Sequence, residues 1–246
     1  MRKGIYYFIL ILCVIVTGLV VYIYIFDNDN KVSSMQEEDN PIVEPEPDPE
    51  PEPLPKPDHN KLMIVAHPDD EAIWGGGHLI EDEYTVVCVT CGVKENRLNE
   101  FINVMNFSDD KFIYLAHTDL EPGAVISNWD KNNEKDKIRE QLKEIIYSRD
   151  WDFVVAHNPD GEYGHKHHKM ISEMVTDIVQ DKDKLYYFGV FYKKGTVDDS
   201  PTLSDETYLR KRQMLALYKS QPACTDKGTL TYAFNHENWV KYKDWK

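Results

Sequence analysis

Basic residues are scarce in this chain of 246 residues. Lysine and arginine number 28 against 43 aspartates and glutamates, so the formal net charge is −15. Eleven acidic residues and two lysines in residues 27–58, together with Arg2 and Lys3, account for −7 of this charge, and −8 remains from residue 59 onward. Because an acidic domain repels phosphate backbones, the composition argues against nucleic acid as a partner.

Cysteine is also scarce, with four residues in the chain. Cys88-x-x-Cys91 has no second pair elsewhere in the sequence, whereas a zinc ribbon requires four ligands. We therefore interpret Cys88, Cys91 and Cys224 as free thiols or core residues, with a disulfide or a metal site as the alternative. Cys13 lies inside an apolar run and is interpreted as an ordinary buried thiol.

That apolar run, residues 5–26, contains no charged residue. A helix of this length rises ~1.5 Å per residue and spans ~33 Å, which is enough to cross a bilayer. Residues 1–4 carry Arg2 and Lys3 while Asp27 follows the run, so we expect a cytoplasmic N-terminus and an extracytoplasmic remainder. The alternative is a cleaved signal peptide, but no small-residue cleavage site follows the run.

Residues 27–60 are rich in proline and acidic side chains, with the two alternating from residue 45 to residue 53. Such a segment offers nothing apolar to bury, and its prolines favour an extended backbone. We interpret it as a disordered acidic linker that holds residues 61–246, the predicted catalytic domain, away from the membrane.

Short apolar runs alternate with helical patterns from residue 61 onward. The runs are continuous, as in strands covered on both faces, and occupy residues 62–66, 85–89, 112–115, 153–156 and 185–188. Between them, Ile138, Leu142, Ile145 and Ile146 have the spacing of a surface helix. The alternation predicts an α/β fold with a Rossmann-like, doubly wound, mostly parallel sheet, whose ligands bind beyond the carboxyl ends of the strands.

Two polar motifs follow the first and fourth runs. Residues 66–71 read Ala-His-Pro-Asp-Asp-Glu, and residues 157–168 read His-Asn-Pro-Asp-Gly-Glu-Tyr-Gly-His-Lys-His-His. His67 and Asp70 lie within one turn, and His168 completes a three-ligand set that leaves one position for water. The remaining carboxylate, Asp69, is placed to take a proton from that water.

His165 lies three residues before His168, so on a helix the two would share a face. One can then bind the metal while the other meets the developing oxyanion or protonates the leaving nitrogen. Tyr163 is placed to assist with the same charge. Each motif alone also fits a structural role, since a His-Pro-Asp turn can cap a helix and Glu71 can stabilise a helix start. Their joint position after two strands of one sheet favours catalysis.

The two motifs resemble the paired signatures of the PIG-L/LmbE-like zinc de-N-acetylases. The resemblance runs from about Lys61 to the C-terminus and includes Arg97-x-x-Glu100 and a late motif over residues 211–221 that ends in Tyr-Lys-Ser-Gln. One departure is Lys166-His167, where the family often has Pro-Asp. We expect His167 to point away from the metal.

The resemblance implies that His67, Asp70 and His168 bind Zn²⁺, that Asp69 is the general base, and that His165 faces the tetrahedral intermediate. It also implies that Arg97 contacts the substrate, which suits a guanidinium facing sugar hydroxyls or a phosphate. Ligands of this kind also accept Fe²⁺ or Co²⁺.

The implied reaction removes an N-acetyl group from an N-acetylglucosamine-type sugar or glycoconjugate and releases acetate. Two alternatives stay open: an amidohydrolase that acts on a non-sugar amide, and a non-catalytic surface module that binds glycans. A retained Asp69, which a structural metal site does not need, argues against the second alternative.

Overall fold

A computed structural model describes residues 59–120, 127–131, 133–189, 202–224, 228 and 230–246. The expected membrane span over residues 5–26 lies outside these ranges, as does almost all of the expected linker. Within the described part of the chain, no helix has both the length and the apolar character that a membrane crossing requires.

In the part of the chain that the structure describes, six strands form one sheet in the order β3-β2-β1-β4-β5-β6. The first five strands are parallel, and the sixth pairs with β5 in the antiparallel direction. This confirms the predicted α/β fold with a mostly parallel, doubly wound sheet. The strands are β1 Lys61–Val65, β2 Thr85–Cys88, β3 Lys111–Tyr114, β4 Phe153–Ala156, β5 Leu185–Tyr187 and β6 Val240–Lys241.

Among the described residues, five α-helices cover the two faces of this sheet. They are α1 Asp70–Glu81, α2 Glu95–Ser108, α3 Glu134–Ile146, α4 Lys166–Ile178 and α5 Asp205–Leu215. The predicted surface helix corresponds to α3, which buries Ile138, Leu142 and Ile146.

Alternate residues of each strand face opposite sides of the sheet, and both sides are apolar cores. Met63 and Val65 of β1 pack into the core that includes residues of α1, α2 and α5, whereas Leu62 and Ile64 pack into the core that includes residues of α3 and α4. This two-sided burial explains why the strands read as continuous apolar runs. Cys88, Cys91 and Cys224 are buried free cysteines, as interpreted from their spacing.

The chain order places a crevice between β1 and β4. After β1 the chain adds β2 and β3 on one side, and it then returns to place β4 against the other side of β1. The loops that leave the carboxyl ends of β1 and β4 therefore diverge, and such a switch point is where ligands bind in open α/β sheets. Both polar motifs of the sequence begin here.

Candidate metal centre and active site

Three buried donor atoms meet at the switch point. His67 lies in the turn after β1, Asp70 is the first residue of α1, and His168 is the third residue of α4. His67 Nδ1 lies 3.1 Å from Asp70 Oδ2 and 3.2 Å from His168 Nε2, and the last two atoms are 3.3 Å apart. The three residues predicted as ligands are thus brought together in a small triangle of donors.

The triangle has the dimensions of a tetrahedral metal site. Metal–ligand bonds of ~2.0–2.1 Å require neighbouring ligands to be about 3.3–3.4 Å apart. Burial opposes ionisation of Asp70, but the neighbouring imidazoles hold its pKa well below its usual range. Asp70 is therefore an anion that a positive charge at the triangle would stabilise. Burial likewise opposes protonation of His67 and His168, yet hydrogen bonds and the charge of Asp70 raise the pKa of both. A divalent cation fits this donor set.

Asp69 lies beside the triangle in a strained backbone conformation. Its φ is 127°, a value that side-chain-bearing residues rarely adopt. Its backbone N–H donates to Glu71 Oε2 over 3.2 Å. Burial, followed by the charge of Asp70, raises the pKa of Asp69 to about 7. A carboxyl group with such a pKa suits general base catalysis near neutral pH.

Glu71 supports this turn from inside the protein. It is buried, and its Oε1 accepts a hydrogen bond from the hydroxyl of Tyr218. Burial raises the pKa of Glu71 to about 8. Glu71 therefore does more than stabilise the start of α1, because it also links α1 to Tyr218. This contact places the late motif of residues 211–221 behind α1. In the same motif, buried Lys211 donates to Glu237 Oε1 over 2.6 Å.

Arg97 binds the protein's own oxygen atoms. It donates through Nη2 to Pro68 O over 2.6 Å and through Nη1 to Asp119 Oδ2 over 3.0 Å. Its Nη2 also lies 3.8 Å from Asp69 Oδ2. These contacts hold the His-Pro-Asp turn in place, and the predicted substrate contact of Arg97 stays a prediction.

Asp119 is a site residue that sequence reasoning missed. It follows β3, and its Oδ1 lies 3.2 Å from His67 Nε2. Burial opposes ionisation, but the hydrogen bond with His67 lowers the pKa of Asp119 below its usual range. A carboxylate on the far nitrogen fixes the tautomer of a ligating imidazole, so His67 Nδ1 faces the triangle as an acceptor. Its position after a strand of the parallel sheet was the available signal.

His165 lies next to the triangle, but not for the reason expected. It precedes α4 as the N-cap residue instead of sharing a helix face with His168. Their ring centroids are nevertheless 4.5 Å apart. Burial, followed by the charges of His168 and His67, lowers the pKa of His165 to about 3. Its Nδ1 is buried without a hydrogen-bond partner among the described residues, while the side chain lines the cavity over the triangle.

His167 lies close to the centre but outside the triangle, so the expectation that it points away from the metal stays a prediction. His167 is buried, stacks on Trp129 at 3.7 Å between ring centroids, and places Nδ1 3.3 Å from His67 Nε2. The His67 ring thus has two occupied edges: Asp70 and His168 lie at its Nδ1 edge, and His167 lies at its Nε2 edge. Stacking on the flat face of Trp129 keeps the His167 ring inside the protein. No local pattern in the sequence indicated this contact.

A cavity of about 230 Å³ opens over the triangle. Tyr163 is half exposed at this cavity, with its ring centroid 6.1 Å from that of His165. A larger cavity of about 910 Å³ beside α5 contains none of the predicted site residues. The smaller cavity is lined by His67, Asp69, Asp70, Ile73, Trp74, Arg97, Asp119, Leu120, Tyr163, His165, Ala223 and Leu230.

Comparison with known proteins finds a match to a family model within the chain. Residues 62–179 match the family model described as PIG-L, GlcNAc-PI de-N-acetylase. An uncharacterized protein of Acanthamoeba polyphaga mimivirus is 34% identical over 156 residues, which cover 56% of this chain and 64% of that protein.

A second relative carries a functional name. The 1D-myo-inositol 2-acetamido-2-deoxy-alpha-D-glucopyranoside deacetylase of Corynebacterium diphtheriae is 29% identical over 160 residues, 50% of this chain and 53% of that protein. The match thus spans about half to two thirds of these relatives. The fold also matches a crystal structure of the zinc-inhibited form of a teicoplanin deacetylase, with a TM-score of 0.56 and 15% identity over 75% of this chain and 100% of that chain.

Proposed function

Because residues 62–179 of the chain belong to the PIG-L family of de-N-acetylases, we propose that the protein hydrolyses the N-acetyl group of an N-acetylglucosamine-type sugar or glycoconjugate. The observation that carries the proposal is the triangle of His67, Asp70 and His168, with the carboxylate of Asp69 beside it. A purely structural metal site has no use for a strained, partly buried carboxylate outside the ligand set.

The proposed cofactor is Zn²⁺, held by His67 Nδ1, Asp70 Oδ2 and His168 Nε2. Two imidazoles and one carboxylate form a ligand set found in catalytic zinc sites, and Fe²⁺ or Co²⁺ suits the same donors. When bound, the ion supplies Lewis acid chemistry, which polarises the amide carbonyl and acidifies water.

The chain's own residues supply the proton transfers. Asp69 accepts a proton from the attacking water as the new C–O bond forms, and the C–N bond then breaks as Asp69 returns that proton to the leaving nitrogen. His165, neutral at rest, donates an imidazole N–H to the developing oxyanion. The products are acetate and a free amine. Tyr163, at the cavity mouth, is proposed to assist His165.

The substrate class follows from the named relative and from the charge of the chain. The Corynebacterium relative is named for an acetamido sugar joined to inositol. The cavity carries Asp69, Asp70 and Asp119, and the guanidinium of Arg97 already binds two of them. A neutral sugar is therefore a better occupant than a polyanion. If residues 5–26 span a membrane as expected, the substrate is an extracytoplasmic glycan.

Acetate release by the full-length chain in detergent tests the proposal. N-acetylglucosamine, chito-oligomers, peptidoglycan fragments and acetylated non-sugar amines are each incubated with the zinc-loaded chain, with and without a chelator. Chelator-sensitive acetate from a sugar supports the proposal, and acetate only from non-sugar amines identifies an amidohydrolase. Glycan binding without acetate release identifies a binding module.

A further inference from the structure

A second buried carboxylate, Glu162, touches the metal centre from behind His168. Its Oε2 lies 2.5 Å from His168 Nδ1 and 3.0 Å from His157 Nδ1. The side chain of Glu162 and both imidazoles are fully buried. Glu162 follows a glycine in the loop after β4, and nothing in the proposed reaction uses it directly.

The proton positions around Glu162 follow from one backbone amide. Ala66 N–H donates to His157 Nε2 over 3.0 Å, so that nitrogen carries no proton. The proton of His157 is therefore on Nδ1 and is donated to Glu162. Because an ionised carboxylate only accepts hydrogen bonds, His168 must donate to it from Nδ1 as well. This leaves His168 Nε2 as a lone-pair donor that faces Asp70 and His67.

Several hydrogen bonds fix the position of Glu162. Its Oε1 accepts the backbone N–H of Asn158 over 3.0 Å, and its own N–H donates to Asn158 Oδ1 over 3.1 Å. The Asn158 side chain is oriented in turn by donating to Phe188 O and Gly189 O. Glu162 also adopts a φ of 55°, a conformation that favours glycine. The chain thus places a glutamate where glycine would be less strained.

We propose that Glu162, held by His157 and Asn158, is a positioning residue that fixes the tautomer and the ring orientation of His168 for metal binding. The inference rests on the proposed function, because it assumes that His168 is a metal ligand. Glu162 acts on His168 as Asp119 acts on His67, so each ligating imidazole has its own carboxylate on the far nitrogen. Such partners commonly contribute 10- to 100-fold to metal affinity.

Zinc affinity of the full-length chain, measured by competition with a chromogenic chelator, tests this role without any substrate. Glu162→Gln keeps the size of the side chain but removes its charge and one acceptor, and we expect it to weaken zinc binding 10- to 100-fold. Glu237→Gln is the matched control, since Glu237 is equally buried and pairs with Lys211 away from the triangle. Its zinc affinity should stay within about twofold of the parent, as no ligand depends on it.

Glu162→Gly provides a second variant, because glycine suits the local φ and the fold is expected to persist. In the zinc-free chain, histidine ¹⁵N spectra should show a fixed Nδ1–H tautomer for His168 in the parent and its loss in Glu162→Gly. Both Glu162 variants binding zinc within about twofold of the parent would overturn the inference, as would an equal loss in Glu237→Gln. A parent chain that binds no divalent ion would instead overturn the proposed function.

Discussion

Replacing Asp69 with asparagine tests the division between metal binding and catalysis. Asp69 lies outside the triangle formed by His67, Asp70 and His168, so the variant should bind zinc as the parent does. Asparagine has nearly the same shape as aspartate and tolerates unusual positive φ better than most residues, which suits the φ of 127° at this position. The change therefore removes the base while the backbone is preserved.

The expected loss is set by the role of a general base. Proton transfer by a positioned side chain contributes about 10²- to 10⁴-fold to the rate. At ~1.36 kcal/mol per factor of ten, this is about 3–5 kcal/mol of barrier. The assay is kcat for acetate release by the zinc-loaded chain, with bound zinc measured in the same sample. Asp160→Asn makes the same chemical change on an exposed loop and should leave kcat unchanged.

The pH dependence of kcat/KM provides a second test of Asp69 as the base. Asp69 acts as a base only when ionised, so kcat/KM should rise with pH through its pKa, which is about 7 without a cation nearby. A bound cation favours the carboxylate and moves this limb to lower pH. The limb should vanish in Asp69→Asn. A variant with normal zinc content and more than a tenth of the parental kcat would refute the assignment of Asp69 as the base.

Three further outcomes are expected. His168→Ala should lose both zinc and acetate release, measured by metal analysis and by the same assay. Tyr218→Phe leaves Glu71 without its hydroxyl donor, so urea unfolding should show a loss of about 1–3 kcal/mol. Burial raises the pKa of Asp110 to about 7, so its charge destabilises the folded state increasingly as pH rises from about 4 to 7. Asp110→Asn should therefore be the more stable protein at pH 8, by up to ~4 kcal/mol, but not at pH 4, and equal gains at both pH values would contradict this.

The sheet was predictable because its strands are buried on both faces. The five apolar runs from Leu62 to Phe188 correspond to β1–β5 within one or two residues. The antiparallel β6 was missed because Val240–Lys241 is too short to carry a pattern. The three proposed metal ligands were predictable from motif position, since the carboxyl ends of neighbouring parallel strands meet at one edge.

Contacts between distant segments were not predictable in the same way. Asp119 follows β3 as a single carboxylate in an ordinary loop sequence, and only the adjacency of β3, β2 and β1 brings that loop towards His67. Arg97 was expected from the family resemblance to contact substrate, which stays a prediction, but its contacts with Pro68 O and Asp119 were not foreseen. Likewise, the His-x-x-His spacing predicted a shared helix face, but α4 begins only after His165.

The charge balance of the centre gives a separate reason to assign the base to Asp69. Four carboxylates, those of Asp69, Asp70, Asp119 and Glu162, surround the two proposed imidazole ligands, and the guanidinium of Arg97 contacts two of them. A divalent ion would leave this group with a single negative charge. Asp70 would bind the ion, while Asp119 and Glu162 accept hydrogen bonds from the imidazoles of His67 and His168. Each of these three carboxylates therefore needs its negative charge for a contact. Asp69 alone would hold neither the ion nor an imidazole proton, and its contact with Arg97 is a 3.8 Å ion pair, so accepting a proton there removes the remaining charge with the smallest loss of contacts.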